Sequence, residues 1–343
     1  MAEKKIFLGV DLTKEGYSIA SYDFVKNEPG EQVEHNGTFP TQYHSMVVTM
    51  EQTDYAGWEN TKQFMEQHHI SKDNVRVVTH LHAFLAFLTH QELEIWDHNV
   101  GLFEYKKEGL FYHQININKS KMPIRAHLAT TSYAHVLGPD SMNLEKTDID
   151  QEFVHIVRQV LTKGVISAVY LTGEGFQKDW LNESIDVLCA SRRVFMGQDL
   201  FAKGACYLAK QDWEATASES IVISGEGFID YEIGIIADVD EKEEFIPIVS
   251  PGREWYLTQG NLDVILKKGT KVDIIYRNQQ GQVVEREVLD LTFLPKRPDG
   301  TNRIRISIDF TGKNQGGITV KDLGFGRLFP TTNQIYRKEF MLD

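Results

Sequence analysis

The sequence predicts a mixed α/β domain followed by an all-β, sandwich-like domain. Segments with strand and helix patterns alternate through the first 213 residues, which is typical of α/β proteins. In residues 303–310 every second residue is apolar, and a period of two is the pattern of a half-buried strand. All twelve histidines fall between His35 and His155, so the composition also changes along the chain.

The first domain is predicted over residues 1–213, as two lobes, 1–95 and 96–213. Short apolar runs predict its strands, and apolar residues at helical spacing predict its helices. The predicted strands are 6–10, 16–24, 76–79, 100–104, 109–117 and 168–172. The predicted helices are 60–68, 150–163, 180–188 and 198–209. Residues 83–89 form a short apolar segment that is assigned to neither class.

The second domain is predicted over residues 221–343, after a linker at 214–220 that is rich in Ala, Ser, Thr and acidic residues. Turn signals containing Asn, Gly and Pro separate its alternating segments, which indicates antiparallel strands. These segments are 272–276, 283–293, 303–310 and 317–321.

Composition and charge exclude several classes of function. The 343 residues carry 36 basic and 49 acidic side chains, a net charge of −13 without a dense basic patch, so nucleic-acid binding is not expected. Two cysteines, Cys189 and Cys206, are too few for a disulfide framework. No signal peptide and no membrane-spanning run are recognised. We therefore expect a cytoplasmic protein without a membrane span.

Three features could carry chemistry, and each also has a simpler structural explanation. Asp11 ends the first strand, where a carboxylate can hold a metal-bound water, although such residues more often form turns. Gly173 and Gly175 follow a buried strand, where they could bring backbone N–H groups to an anion or only allow a tight connection. His80 and His82, at i, i+2, would share one face of a strand and could bind zinc there, but no Cys or HExxH spacing supports this, so no metal site is expected.

An acidic run lies at residues 238–244 in the second domain. It could attract a basic partner or a cation, whereas a solvated loop is the simpler interpretation. The candidate partner-binding residues in it are Asp238, Asp240, Glu241, Glu243 and Glu244.

Several segments, in a consistent order, resemble motifs of the seventy-kilodalton heat-shock chaperones within the actin-like ATPase superfamily. Residues 7–12, FLGVDL, resemble the first phosphate motif, and residues 99–117 occupy the place of the second phosphate hairpin. Residues 169–176, VYLTGEGF, resemble the adenosine motif. The other matching segments are 75–91, 195–209, 231–252 and 303–326. The resemblance implies an actin-like, ribonuclease-H-like domain followed by a sandwich like the chaperones' substrate-binding domain.

The resemblance places a nucleotide site on nine residues of this chain. They are Gly9, Asp11, Thr13, Lys14, Glu104, Lys106, Gly173, Gly175 and Gly204. The chain departs from the family's pattern at both phosphate motifs. Lys14 and Glu15 stand where the family has threonines, and side chains at 106–108 replace glycines that let the backbone approach phosphates closely.

These departures predict a vestigial site. The lobe that clamps the adenine in the family has no counterpart in the short interval before Asp150. Because phosphoryl transfer depends on positioned donors, metal and close backbone approach, ATP hydrolysis is not expected. We expect no cofactor and no enzymatic activity, with bound ATP or ADP and magnesium as the alternative.

The predicted function is that of a non-catalytic protein-binding or scaffold protein, a degenerate and lidless relative of the chaperones in a bacterial family of unknown function. It would bind a protein or peptide through the sandwich. Two alternatives stay open: a nucleotide-dependent, chaperone-like ATPase with atypical phosphate loops, and an actin-like assembly or cell-division adaptor. ATP hydrolysis would distinguish the first of these, and concentration-dependent assembly the second.

Overall fold

The chain folds into two units, Met1–Glu226 and Gly227–Asp343. The computed structural model describes residues 5–14, 16–30, 39–71, 74–120, 124–162, 164–190, 192–214 and 221–342. The first unit is mixed α/β and the second is built of antiparallel sheets, so the predicted order of fold classes is confirmed. The predicted linker lies outside the described residues except for Glu214, which ends a helix.

A five-stranded sheet forms the first lobe of the first unit. Its strands are β1 (Phe7–Thr13), β2 (Gly16–Asp23), β3 (Glu28–Pro29), β4 (Ser45–Met50) and β5 (Val75–Thr79). They stand in the order β3-β2-β1-β4-β5, with β1 and β2 forming a hairpin and β1, β4 and β5 running parallel. Every residue of β4 is buried, so its sequence shows no alternation, and the sequence analysis missed it.

Two helices of this lobe begin at side-chain caps. They are α1 (Tyr55–Gln67) and α2 (His80–Thr89). The Asp54 carboxylate accepts a hydrogen bond from the backbone N–H of Gly57 at 2.8 Å, and the Thr79 hydroxyl accepts one from His82 at 3.1 Å. The apolar segment predicted at 83–89 is therefore the continuation of a helix that starts at His80, directly after β5.

A six-stranded sheet forms the second lobe and repeats the topology of the first. Its strands are β6 (Asn99–Lys106), β7 (Gly109–Asn118), β8 (Arg125–Ser132), β9 (Ile166–Thr172), β10 (Arg193–Met196) and β11 (Val222–Gly225). In the order β10-β9-β6-β7-β8-β11, the β6–β7 hairpin corresponds to β1–β2, and β9 and β10 correspond to β4 and β5. The two lobes therefore share one strand order, read in opposite directions in the two sheets.

Strand β11 shifts the boundary between the two units. It pairs in parallel with β8, so residues 222–225 belong to the first unit, whereas the second domain was predicted to begin at residue 221.

The described part of the first unit has three further α-helices: α3 (Lys146–Leu161), α4 (Glu183–Cys189) and α5 (Leu200–Glu214). The last of them packs on β1 and α2 and thus returns to the first lobe.

The second unit consists of two four-stranded antiparallel sheets. Its strands are β12 (Glu232–Val239), β13 (Lys242–Val249), β14 (Gln259–Leu266), β15 (Lys271–Arg277), β16 (Val283–Asp290), β17 (Asn302–Gly312), β18 (Gln315–Asp322) and β19 (Ile335–Met341). One sheet has the order β13-β12-β15-β16 and the other β14-β17-β18-β19. The alternation predicted at 303–310 is confirmed, because Ile304, Ile306 and Ile308 are buried while Arg303 and Arg305 are exposed.

Candidate functional site

A cleft in the first unit lies between the two hairpins that the lobes have in common. It comprises two adjoining hollows of about 310 and 270 Å³. Residues at the carboxyl ends of β1, β5, β6 and β9 line it, together with Glu51 just after β4. In open α/β sheets this edge of the parallel strands is where ligands bind. The cleft is therefore the candidate functional site.

The two hairpins beside the cleft share a sequence pattern as well as a fold. Residues 11–16 read Asp-Leu-Thr-Lys-Glu-Gly, and residues 104–109 read Glu-Tyr-Lys-Lys-Glu-Gly. The strand register makes the two segments equivalent, since Thr13 pairs with Gly16 and Lys106 pairs with Gly109 across each turn. Both hairpins thus have an acidic residue near the end of the strand, followed in the sequence by Lys-Glu-Gly, at the places where the resemblance implies phosphate-binding loops.

The carboxylate of Asp11 is paired within the first lobe. Its Oδ1 atom lies 2.8 Å from Nε2 of His80, and it accepts a hydrogen bond from the Thr49 hydroxyl at 3.0 Å. The ring of Phe201 stacks on the His80 imidazole with a centroid distance of 4.2 Å and closes it off from solvent. The carboxylate that we considered as a holder of a metal-bound water is therefore already in contact with a buried imidazole.

A lysine links carboxylates of the two lobes. Nζ of Lys106 lies 2.5 Å from Oε1 of Glu51 in the first lobe and 3.3 Å from Oε2 of Glu104 in the second. Burial would lower the pKa of Lys106, but the charges of Glu104 and Glu51 raise it above its ordinary value. Burial would likewise raise the pKa of Glu104, but His113 and Lys106 lower it to about 2. Both groups are accordingly charged at neutral pH.

A chain of polar contacts extends from Glu104 to the end of the unit. Nε2 of His113 lies 3.2 Å from the Glu104 carboxylate, and its Nδ1 lies 2.9 Å from the hydroxyl of Thr130. That hydroxyl donates to one carboxylate oxygen of Glu226, and Thr53 donates to the other at 3.2 Å. The acidic groups of the cleft are thus satisfied by neighbouring side chains of the same unit.

The structure brings six of the nine predicted nucleotide-site residues to the cleft. These are Asp11, Thr13, Lys14, Glu104, Lys106 and Gly173. Gly9 and Gly204 instead allow helix α5 to pack closely: a Cβ at Gly204 would lie 1.8 Å from the Ala83 carbonyl oxygen. Gly175 packs against the ring of Tyr105. Glu15, which we expected to oppose phosphates, lies outside the described residues.

Several of the groups that define the site were not predicted from the sequence. Four of them are Glu51, His113, Thr130 and Glu226, and His80 was considered only as a zinc ligand. The hypothesis that His80 and His82 share a strand face was wrong, because both lie in the first turn of α2, where residues two apart point in different directions. The available signal was topological: Glu51 and His80 directly follow two parallel strands, and the ends of such strands converge.

The residues present do not fit a metal–nucleotide complex of the actin-like type. Asp11 and Glu104 would have to reach the metal, yet they contact His80, His113 and Lys106. Among the described residues, no group of three or more His, Cys, Asp or Glu side chains is arranged to hold a metal ion. The backbone at both turns carries side chains where close approach to phosphates requires glycine.

The buried His80 gives a testable pH dependence. Burial would lower its pKa, but Asp11, Glu104 and Glu51 outweigh burial and raise it. A histidine whose pKa is raised by folding contributes its full stabilisation at pH values below its pKa in the unfolded chain, about 6.5. This contribution is lost as the pH rises through its pKa in the folded protein. We expect the free energy of unfolding to fall as the pH rises above about 6.5 and His80→Gln to lose that part of the slope.

Urea unfolding of the full chain at a series of pH values measures this slope. His98→Gln is the control, since His98 is a surface histidine 3.6 Å from Asp97. Equal slopes for the wild-type protein and His80→Gln would contradict the expectation.

The acidic run of the second unit is a hairpin rather than an open loop. Strand β12 ends at Val239 and strand β13 begins at Lys242, so only Asp240 and Glu241 form the turn between them. Both turn residues have left-handed backbones, with φ of 49° and 64°. The carboxylates of the run are exposed, and Asp238 lies 2.5 Å from the Lys267 ammonium.

Comparisons with known proteins give families rather than functions. In the described part of the chain, none of the helices has the length and apolar character needed to cross a membrane. A search of curated proteins finds no match. Among solved structures, the activator of the 2-hydroxyisocaproyl-CoA dehydratase from Clostridium difficile with bound ADPNP is similar at 10% identity and a TM-score of 0.40, covering 63% of this chain and 98% of that one.

Two family models match, and they divide the chain close to the boundary between its units. The model described as a domain of unknown function (DUF8552) matches residues 229–342, almost the whole of the second unit. The model described as the C-terminal part of a family of unknown function (DUF5716) matches residues 34–226, more than half of the chain and up to the last residue of the first unit. The chain belongs to this family of unknown function, DUF5716, through its C-terminal model.

Proposed function

We propose that the chain is a non-catalytic protein-binding or scaffold protein whose actin-like cleft is bridged by ion pairs of its own side chains. One observation carries this proposal. The Lys106 ammonium lies between Glu51 of one lobe and Glu104 of the other, in the cleft where the resemblance implies a metal–nucleotide complex. Because this ammonium of the protein pairs with carboxylates of both lobes, no bound metal ion is needed to neutralise them.

Electrostatics of the cleft support the same proposal. Glu51, Glu104 and Glu108 line it, and the ammonium groups of Lys14 and Lys106 already lie close to these carboxylates. A triphosphate would bring further negative charge against them, and an added charge is costly where water is partly excluded. The alternative of an ATPase with atypical loops would require these contacts to break.

Thermal unfolding with millimolar ATP or ADP and magnesium tests the proposal. A ligand at 100 times its dissociation constant stabilises the folded state by about 2.7 kcal/mol, which raises the melting temperature visibly. We expect the melting temperature of the full chain to be the same with nucleotide, with magnesium alone and with buffer alone. A rise that requires nucleotide would favour the ATPase alternative, and hydrolysis would then be measured.

The second unit is the proposed partner-binding part, because exposed apolar and charged side chains lie together on its surface. A cytoplasmic setting is part of the same proposal. The two thiols, Cys189 and Cys206, are unlinked, as a reducing compartment would keep them.

A further inference from the structure

Two exposed surfaces of the second unit have complementary compositions. The first, the acidic hairpin, is residues 236–244 of β12 and β13, where Ile236 and Val239 are 41% and 38% exposed among five carboxylates. The second, the basic loop, is residues 321–329, which start in the last two residues of β18 and continue beyond it. Its exposed charged residues are Lys321 and Arg327, whereas Asp322 is buried. The loop also exposes Phe325 and Leu328, and Leu328 is 86% accessible to solvent.

The acidic hairpin keeps like charges close together at a local cost. Asp238 is paired directly with Glu243 across the two strands, and like charges in that position destabilise a hairpin. The Lys267 ammonium beside Asp238 offsets only part of this charge. A cationic group from outside would relieve the repulsion, so the hairpin favours a basic partner surface.

The basic loop is held rigidly at its base. The carboxylate of Asp322 accepts hydrogen bonds from the backbone of Gly324 at 3.0 Å and of Thr332 at 2.8 Å. Arg297 donates to the same carboxylate and to the Pro330 carbonyl at 2.8 Å. These hydrogen bonds order the base from which the exposed apolar tip projects, and order present before binding lowers the entropy cost of docking.

We propose that the basic loop of one copy of this chain docks on the acidic hairpin of a second copy. Charge and apolar character both match, with Arg327 and Lys321 facing the carboxylates and Leu328 facing Ile236 or Val239. Two different surfaces meet in this contact, so each copy keeps one loop and one hairpin unused. Such a heterologous contact continues head to tail into open chains or closes into a ring.

The small area of this contact predicts a low affinity between the two copies. A loop tip on a hairpin covers less than the roughly 1,200 Å² of total area that marks stable interfaces. The net charge of −13 also opposes association at low salt. We therefore expect self-association that rises with protein concentration and involves the apolar side chains as well as the charges.

Sedimentation velocity of the full chain over a wide concentration range tests the proposal with two variants. Leu328→Asp removes the loop contact, and Glu241→Lys with Glu244→Lys removes the hairpin contact. Each variant alone should stay monomeric. Their equimolar mixture should form a dimer and nothing larger, because the first still offers its hairpin and the second its loop.

The control is Val25→Asp, which changes an apolar side chain that is 95% exposed in the first unit and should associate as the wild-type protein does. Far-UV circular dichroism checks that all variants are folded. A wild-type protein that stays monomeric, association that neither variant reduces, or a mixture that stays monomeric where the wild-type protein associates would each overturn the proposal. It does not depend on the cleft, so nucleotide binding would overturn the proposed function and leave this contact standing. Association that both variants abolish would come from the second unit, whereas the actin-like assembly alternative requires association that neither variant reduces.

Discussion

Lys106→Met is expected to lower the free energy of unfolding of the first unit by about 2–3 kcal/mol. The change removes the ammonium that lies between Glu51 and Glu104 and keeps a stem of similar length. Both carboxylates are nearly buried, with side-chain exposures of 13% and 11%. Breaking a fully buried pair costs about 3–5 kcal/mol, and the effect is smaller here because Lys106 retains 22% exposure.

Urea unfolding of the full chain, followed by circular dichroism, measures this loss. Lys26→Met is the matched control, since Lys26 is an exposed lysine and should change the stability little. In a double variant with Glu51→Gln, one of the two carboxylates that have lost their cationic partner is replaced by a neutral amide, and part of the lost stability should return. Strictly additive effects of the two substitutions would contradict a direct interaction between Glu51 and Lys106.

Divalent cations provide a second measurement on the same variant. Without the ammonium, Glu51 and Glu104 become two neighbouring carboxylates, and one or two carboxylates with water are a usual magnesium environment. Millimolar Mg²⁺ should raise the melting temperature of Lys106→Met and leave that of the wild-type protein unchanged. An equal rise in both proteins would contradict the idea that Lys106 takes the place of a bound cation.

The parts of the fold that local pattern determines were predictable. Strand β17 exposes one face and buries the other, so the alternation in its sequence predicts it directly. Strand β4 is buried on both faces, which removes the alternation, and its pairing with β1 and β5 is not written in its own residues. The repeated order of strands in the two lobes likewise emerges only from pairing.

The candidate site was predictable only in part for the same reason. Resemblance identified Asp11, Glu104 and Lys106, because each lies at or beside a motif. Their partners Glu51 and His80 lie 55 and 69 residues away from the groups that they contact and have no motif of their own. The acidic residues of the cleft are held by long-range side-chain pairs, within the first lobe for Asp11 and between the lobes for Glu51, and no local sequence pattern predicts such pairs.

Asp322→Asn is expected to have the largest effect on the second unit, about 3–5 kcal/mol in the free energy of unfolding. Asp322 is completely buried, and Arg297, at 5% side-chain exposure, donates to both of its carboxylate oxygens at 2.8 and 2.9 Å. An asparagine would leave the guanidinium as an uncompensated buried charge. Its NH2 group would also face the backbone N–H of either Gly324 or Thr332, each of which donates to a different oxygen of Asp322 and would lose its acceptor.

The pair formed by Asp263 with Arg303 and Arg305 is the matched contrast, because it has similar hydrogen bonds on the exposed face of the same sheet. Asp263→Asn should cost no more than about 1 kcal/mol, as exposed ion pairs do.

The same carboxylate, Asp322, gives a pH dependence. Burial would raise its pKa, but Arg297 and the N–H donors of the loop hold the pKa well below its ordinary value. The stability that this group contributes is therefore present above the unfolded value of about 4 and is lost as the pH falls toward the folded value. Unfolding curves at neutral pH and at acidic pH should show the difference between wild type and Asp322→Asn shrinking with acid, and a difference that stays constant would show that the carboxylate charge is not what anchors the loop.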